Sequence, residues 1–177
     1  MTAIWWIRRD LRLQDNLTLQ KAMGDGPIFP VVILDQHLLS NTPVRKRNFL
    51  FNGLRSLNAD LCSRGSYLVI RSGKPDDVLR RLMKESSAQV IYAEEDFTPY
   101  AIQRDRVIAR NLPIKYIQGQ VVHHPKSFHK KDGKPYTIYT PFSKTWKNMF
   151  PADLIPVPAP NYIPILQGVK SVSYTHL

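Results

Sequence analysis

The sequence predicts a doubly wound α/β fold: a five-stranded parallel sheet with helices on both faces. Three observations carry that expectation. Five short apolar runs recur within the first 118 residues, at 3–7, 28–34, 67–70, 90–93 and 114–117. All but the last, which Lys115 interrupts, are apolar on consecutive rather than alternate residues, the mark of a strand covered on both sides. Helical patterns separate the runs, and crossover helices between buried strands give parallel order. With 177 residues, 43% of them hydrophobic, the chain can bury about 70% of its unfolded surface without disulfide or metal staples.

The elements follow in order. Ala3-Ile4-Trp5-Trp6-Ile7 is aromatic and β-branched and reads as the first strand. Asp15 or Asn16 caps a helix that runs to about Met23. Residues 28–34 form the second strand. Pro43 precedes a long helix in which Leu50, Leu54, Leu57 and Leu61 fall at helical spacing. Residues 67–70 form the third strand. Pro75 opens the next helix, with Asp76 and Asp77 in its first turn, where carboxylates complement the dipole. Residues 90–93 are the fourth strand. Thr98-Pro99 opens a fourth helix to about Asn111, and residues 114–117 close the sheet. Right-handed crossovers make the fold Rossmann-like, with ligands bound beyond the carboxyl ends of the strands, near the reversal of strand order. That directs attention to residues 8–15, 35–47, 72–75 and 94–100.

After residue 118 the pattern changes. Asp132-Gly133, among lysines, is a hairpin signal, and residues 136–139 suit a short strand. Five prolines between Pro151 and Pro164 read as an extended linker leading away from the domain rather than a core element. The expected organisation is an α/β domain over 1–150 and a proline-rich linker over 151–177.

The net charge is +11, distributed unevenly: +3 over residues 1–105 and +8 over 106–177. A basic second part suits a polyanion such as nucleic acid or a phosphorylated ligand, or serves as a solubilising excess. No apolar run approaches the roughly 20 residues of a membrane helix, so no membrane partner is expected. The start is apolar and then basic, the reverse of a secretory signal. The single cysteine, Cys62, reads as a small buried hydrophobe, and one cysteine allows no internal disulfide or structural zinc. A reducing, cytoplasmic location is the expectation.

The turn after the first strand, Arg8-Arg9-Asp10-Leu11-Arg12, lacks the glycines that let backbone approach a pyrophosphate, which disfavours ordinary nicotinamide binding. No phosphate-cradling Gly-x-x-x-x-Gly-Lys segment is present either. Arg8 and Arg9 suit an anionic or planar ligand, since guanidinium groups fork and stack. They equally suit a salt-bridge network with Asp10 and Asp15. Asp35 follows the second strand and is either a ligand contact or a cap. His123 and His124 are adjacent, which points them to opposite sides and leaves no metal site. Lysines 126, 130, 131, 134, 144 and 147 alternate with Phe128, Tyr136, Tyr139, Phe142 and Trp146, a pattern suited to nucleic acid or to a domain interface.

Several stretches together resemble the DNA photolyase/cryptochrome family. They are Trp6-Ile7-Arg8-Arg9-Asp10-Leu11-Arg12-Leu13 with Asp15-Asn16, then Pro30 to Asp35 and Arg47-Asn48-Phe49-Leu50. Gly73-Lys74-Pro75, Pro99-Tyr100 with Arg104-Asp105, Gly133-Lys134-Pro135-Tyr136 and Tyr139-Thr140-Pro141-Phe142 with Trp146 follow in order. The likeness spans about residues 2–150, and residues 171–177 match nothing in it.

The resemblance implies the antenna domain of a light-driven repair enzyme for cyclobutane pyrimidine dimers. Its pigment, a deazaflavin, FMN or folate, passes energy to FAD held in a C-terminal helical domain, which acts on damaged DNA. None of that domain's motifs is present here, so no catalytic residue is expected and the chain alone is expected to be inactive. The resemblance places the pigment contacts at Arg9, Asp10, Leu34, Asp35 and Arg47, with Arg47 as the charge and stacking partner. It places Lys144 and Lys147 near DNA. Folate-type members carry Asn-Glu where this chain has Tyr100-Ala101, a departure that weakens the folate assignment. A cryptochrome-type photoreceptor and a stand-alone nucleotide-binding module are the alternatives.

Overall fold

The strand order β3-β2-β1-β4-β5 fixes the architecture. The computed structural model describes residues 1–130, 132–151 and 155–165. β1 is Ala3–Ile7, β2 Ile28–Leu34, β3 Val69–Ser72, β4 Val90–Glu94 and β5 Ile114–Ile117. All four pairings are parallel. From β1 the chain steps outward to β3, then returns to lay β4 on the other side of β1, so the order reverses there.

Among the described residues six α-helices accompany the sheet: α1 Leu17–Gly24, α2 Gln36–Ser40, α3 Val44–Cys62, α4 Pro75–Ser86, α5 Pro99–Asn111 and α6 Tyr139–Asn148. Because strand side chains alternate, adjacent tryptophans enter different layers. Trp5 and Ile7 pack with Leu19 of α1 and with Leu54, Leu57 and Leu61 of α3. Ile4 and Trp6 pack with Val78, Leu79 and Leu82 of α4 and Ile108 of α5. The expected doubly wound α/β fold is therefore present, with helices on both faces.

Local chemistry sets the ends of the helices. Asn16, not Asp15, caps α1: its Oδ1 accepts from the Leu19 N–H at 2.8 Å, while its Nδ2 donates to Asp10 Oδ2 at 3.1 Å and to the Arg12 carbonyl at 2.9 Å. Replacing Asn16 by alanine removes the cap and the brace of the β1–α1 turn together. The expected loss is about 1–2 kcal/mol, the upper part of the range for caps, read as a shift in the urea midpoint; a change below about 0.3 kcal/mol would show water replacing both.

Several expectations are corrected. The third strand starts two residues late, at Val69, because the Leu68 N–H is taken by Asn58 Oδ1 at 2.9 Å. Residues 136–139 form no strand; Tyr139 instead begins α6, where Phe142 and Trp146 stand four apart on one helix face. Asp132-Gly133 makes a turn, Lys130 N–H to Lys134 carbonyl at 2.8 Å, without flanking strands. The short helix α2 was not foreseen; Asp35 initiates it, its Oδ1 accepting from the His37 N–H at 3.0 Å. Cys62 is exposed at the end of α3 rather than buried.

The largest departure concerns the proline-rich segment. Its described part, residues 155–165, does not lead away from the domain. The Val157 carbonyl accepts from the Asp15 N–H at 2.7 Å, and the Ile163 N–H donates to the Arg64 carbonyl at 2.9 Å. Ile163 is 0% exposed within the α1–α3 layer, and Ile165 bridges Ile28, ahead of the point where β3 begins to pair with β2. Gly65, at φ +80°, is required beneath it: a Cβ there would come within 2.6 Å of the Tyr162 ring. Residues 166–177, including the unmatched 171–177, lie outside the described residues.

Candidate functional site

Beyond the carboxyl ends of β1 and β2, beside the reversal of strand order, lies a cavity of about 490 Å³. Its floor is apolar, built from Trp6 and Ile7 of β1 and from residues 32–34 of β2. One wall comes from Asp35 after β2, from Leu38 and Leu39 of α2 and from Leu50 of α3. The other comes from the β4–α5 connection, through Asp96, Thr98, Tyr100 and Arg104, and Arg8 and Arg9 follow β1.

The three arginines after β1 have different tasks. Arg8 is buried. Its Nη1 donates to both oxygens of Asp105, at 2.9 and 2.7 Å, and its Nη2 donates to the Glu94 carbonyl. Arg104 Nε donates to the same Asp105 at 2.9 Å. One carboxylate on α5 thus organises two guanidinium groups, each 4.9 Å from the Trp6 ring centroid. Arg9, with 58% of its side chain exposed, stands 3.8 Å from Asp96 and keeps most of its cationic surface free. Arg12 turns away to Glu94, at 3.7 Å.

Of the residues expected to contact a ligand, Arg9, Leu34 and Asp35 line this cavity. Asp10 does not. It is 0% exposed, and its carboxylate accepts from the Arg8 N–H at 3.1 Å and from Asn16, so it shapes the turn. Arg47 lies outside the cavity, in a shallow groove of α3 with Val44 and Phe51. Lys144 and Lys147 are exposed on α6. Trp6, Tyr100 and Arg104 were not singled out as contacts. Their signal was positional: Trp6 stands one residue before the end of β1, and Tyr100 and Arg104 lie in the first two turns of the helix after β4.

Glu94, at the end of β4, joins Asp10, Asp35 and Asp105 as a buried carboxylate. Gly119 packs so closely that a Cβ would lie 2.7 Å from Glu94 Oε1. Burial, reinforced by the charge of Asp10, raises its pKa from the ordinary 4.5 to about 7, against the pull of Arg12, Arg8 and Arg9. Between those values the folded state holds a proton that the unfolded state has released. Its contribution to stability is therefore complete below about pH 4.5 and is lost as pH rises through about 7. Glu94→Gln should gain stability relative to the wild type across that interval, measured by urea midpoints at pH 5 and 7.5. Parallel pH profiles for the two proteins would refute the assignment.

A smaller aromatic cluster lies apart from this site. His123 meets Phe128 and Trp146 edge-on at 5.3 and 5.4 Å, and Phe128 meets Phe142 at 5.4 Å. Phe128, Tyr136, Phe142, Trp146 and Phe150 thus pack on one another or on His123, while Tyr139 is exposed. His124 turns instead to Glu95, at 3.4 Å. Among the described residues no group of three or more His, Cys, Asp or Glu is placed to hold a metal, and no helix is long and apolar enough to cross a membrane.

A doubly wound parallel sheet with an apolar-floored, arginine-flanked cavity beside its switch point defines a Rossmann-like α/β domain. The family model described as DNA photolyase matches residues 3–161, and the chain belongs to that family. It corresponds to the N-terminal α/β domain of photolyase and cryptochrome proteins. A deoxyribodipyrimidine photo-lyase from Agrobacterium fabrum is 32% identical over 88% of this chain and 33% of its own length. The crystal structure of a bacterial class III photolyase from Agrobacterium tumefaciens superposes with a TM-score of 0.89, at 28% identity, over 99% of this chain and 37% of that one. An archaeal photolyase from Sulfolobus tokodaii, described as holding two FAD molecules, superposes with a TM-score of 0.76 at 26% identity, covering 97% and 40%. The chain spans less than two thirds of the curated relatives it matches, 60% of one and 33% of the photo-lyase.

Proposed function

We propose that this chain is the light-gathering domain of a photolyase that repairs cyclobutane pyrimidine dimers, and that its cavity holds the antenna pigment. The observation that carries the reading is the cavity itself. Its volume of about 490 Å³ admits a tricyclic ring with a short side chain. The apolar floor suits the ring, the Asp35 carboxylate on one wall suits a ring N–H, and the half-free Arg9 suits an anionic tail. The Sulfolobus tokodaii relative, described with two FAD molecules and the implication of a novel light-harvesting cofactor, favours a flavin-type ring over a folate. So does Tyr100, which departs from the folate-type pattern.

When bound, such a pigment supplies light absorption and passes excitation to FAD in a C-terminal helical domain. This chain's own residues bind and orient it. Trp6 and the aliphatic floor exclude water, Asp35 accepts a hydrogen bond, and Arg8 and Arg104, neutralised by Asp105, hold the floor rigid without adding net charge. We assign Lys144 and Lys147, exposed on α6, to the side that approaches damaged DNA, and the cytoplasm as the location.

Titration of the purified protein with riboflavin, FMN, a deazaflavin and a reduced folate, followed by ligand fluorescence, tests the reading. Saturable binding of a flavin or deazaflavin is expected, and its loss in Leu39→Trp, which fills the cavity. Failure of the wild type to bind any of the four would overturn it.

A further inference from the structure

An aromatic and cationic ladder crosses one wall of the cavity and ends at a bond that joins the two walls. His37 stacks on Tyr100, centroids 5.1 Å apart and planes at 24°. Arg104 lies 5.6 Å from the Tyr100 ring and 4.9 Å from Trp6. Arg8 continues the series, 4.9 Å from Trp6 and 5.6 Å from Tyr116 of β5. At the outer end, Tyr100 on α5 reaches across: its hydroxyl donates to Asp35 Oδ2 at the start of α2. The other oxygen, Oδ1, is occupied by the His37 N–H.

The two sides of this bond differ in firmness. α5 buries Ala101, Asp105 and Ile108, and Asp105 ties it to Arg8. α2 is five residues long and has no fully buried side chain. Segments with few buried contacts open at low cost. The floor of the cavity offers a ligand apolar contact but no polar partner, so retention has to come from the walls. Burial and the hydrogen bond to Asp35 raise the Tyr100 pKa to about 12, so the hydroxyl stays a donor well into the alkaline range.

We propose that Tyr100, Asp35 and His37 form a clasp that opens by movement of α2 to admit a planar ring and closes again over it, so that the clasp sets how fast a ligand enters and leaves. This inference rests on the cavity being the pigment site. Tyr100 and His37 are positioning residues in this scheme. The Tyr100 hydroxyl holds Asp35, and the exposed His37 ring backs the tyrosine ring. A closed clasp slows entry as well as exit, which separates it from an ordinary ligand contact, whose loss accelerates exit alone.

Stopped-flow fluorescence with riboflavin measures both rates. Tyr100→Phe keeps the ring stacked on His37 and removes only the bond. Both association and dissociation are expected to rise by about tenfold or more, the effect of losing one hydrogen bond to a charged group. His37→Ala, which leaves the cap made by Asp35 intact, should raise both rates by a smaller factor and guards against misfolding of the first variant. Wild-type binding with both rates unchanged within twofold in the two variants would overturn the clasp while leaving the pigment site standing. Faster dissociation alone would reduce Tyr100 to a contact residue and also overturn it. Absence of any riboflavin binding by the wild type would remove the site and the clasp together.

Discussion

Asp105→Ala should destabilise the domain by about 3–5 kcal/mol, the cost of leaving buried cations without their carboxylate. The side chains of Arg8 and Asp105 are 6% and 11% exposed, so water does not replace the lost oxygens. Arg8 donates to both of them, and Arg104 shares one. Against the 5–15 kcal/mol that holds a typical domain together, the loss is a large fraction of the whole. Urea denaturation followed by far-ultraviolet circular dichroism measures it. Arg8→Met combined with Asp105→Leu should recover part of the loss, because only Arg104 then lacks its partner. A loss below about 1 kcal/mol for Asp105→Ala, the value expected of an exposed pair, would mean that the guanidinium groups reach solvent.

Ile163→Ala should cost about 2–4 kcal/mol, as expected for a fully buried aliphatic side chain. The number is informative because of where the residue lies. In a linker leading away from the body the same substitution would cost nothing measurable. Here Ile163 closes the α1–α3 layer and its N–H is bonded to Arg64. Chain ending after residue 154 should show a comparable or larger loss, with increased proteolysis at residues 62–66, where Tyr162 covers Gly65. A melting temperature unchanged by Ile163→Ala would return the segment to the status of a tether.

The sheet was legible because its signals are local. A run such as Ile28–Leu34 is apolar at every position, and Pro75 and Pro99 mark the first turns of α4 and α5 by their fixed φ. The location of the site followed from topology alone, since residues after strand ends converge whatever their identity. The partnerships within it did not follow. Arg8 meets Asp105 across 97 positions and Tyr100 meets Asp35 across 65, and no pattern in either neighbourhood announces the other. Asp10 was expected among the ligand contacts only by the family resemblance, whereas the residues themselves equally suited a network that shapes the turn. It is fully buried because Asn16 and the Arg8 N–H consume its oxygens. The proline-rich segment misled for the opposite reason: prolines stiffen an extended chain, but do not say whether it runs outward or back along the body.

The pair of guanidinium groups on Trp6 has a consequence for how β1 finds its place. Every residue of Ala3–Ile7 is buried, so oiliness does not distinguish one side of this strand from the other, and sliding it by one step would hide almost as much carbon. Sliding one way puts Trp5 against Arg104 but leaves Ile7 facing the Asp105 carboxylate. Sliding the other way offers Arg9 to Asp105 but sets Ile7 against Arg104. Only one alignment supplies an indole and a second cation together: one slip leaves the Asp105 carboxylate to Arg104 alone, and the other takes the indole away from the guanidinium groups.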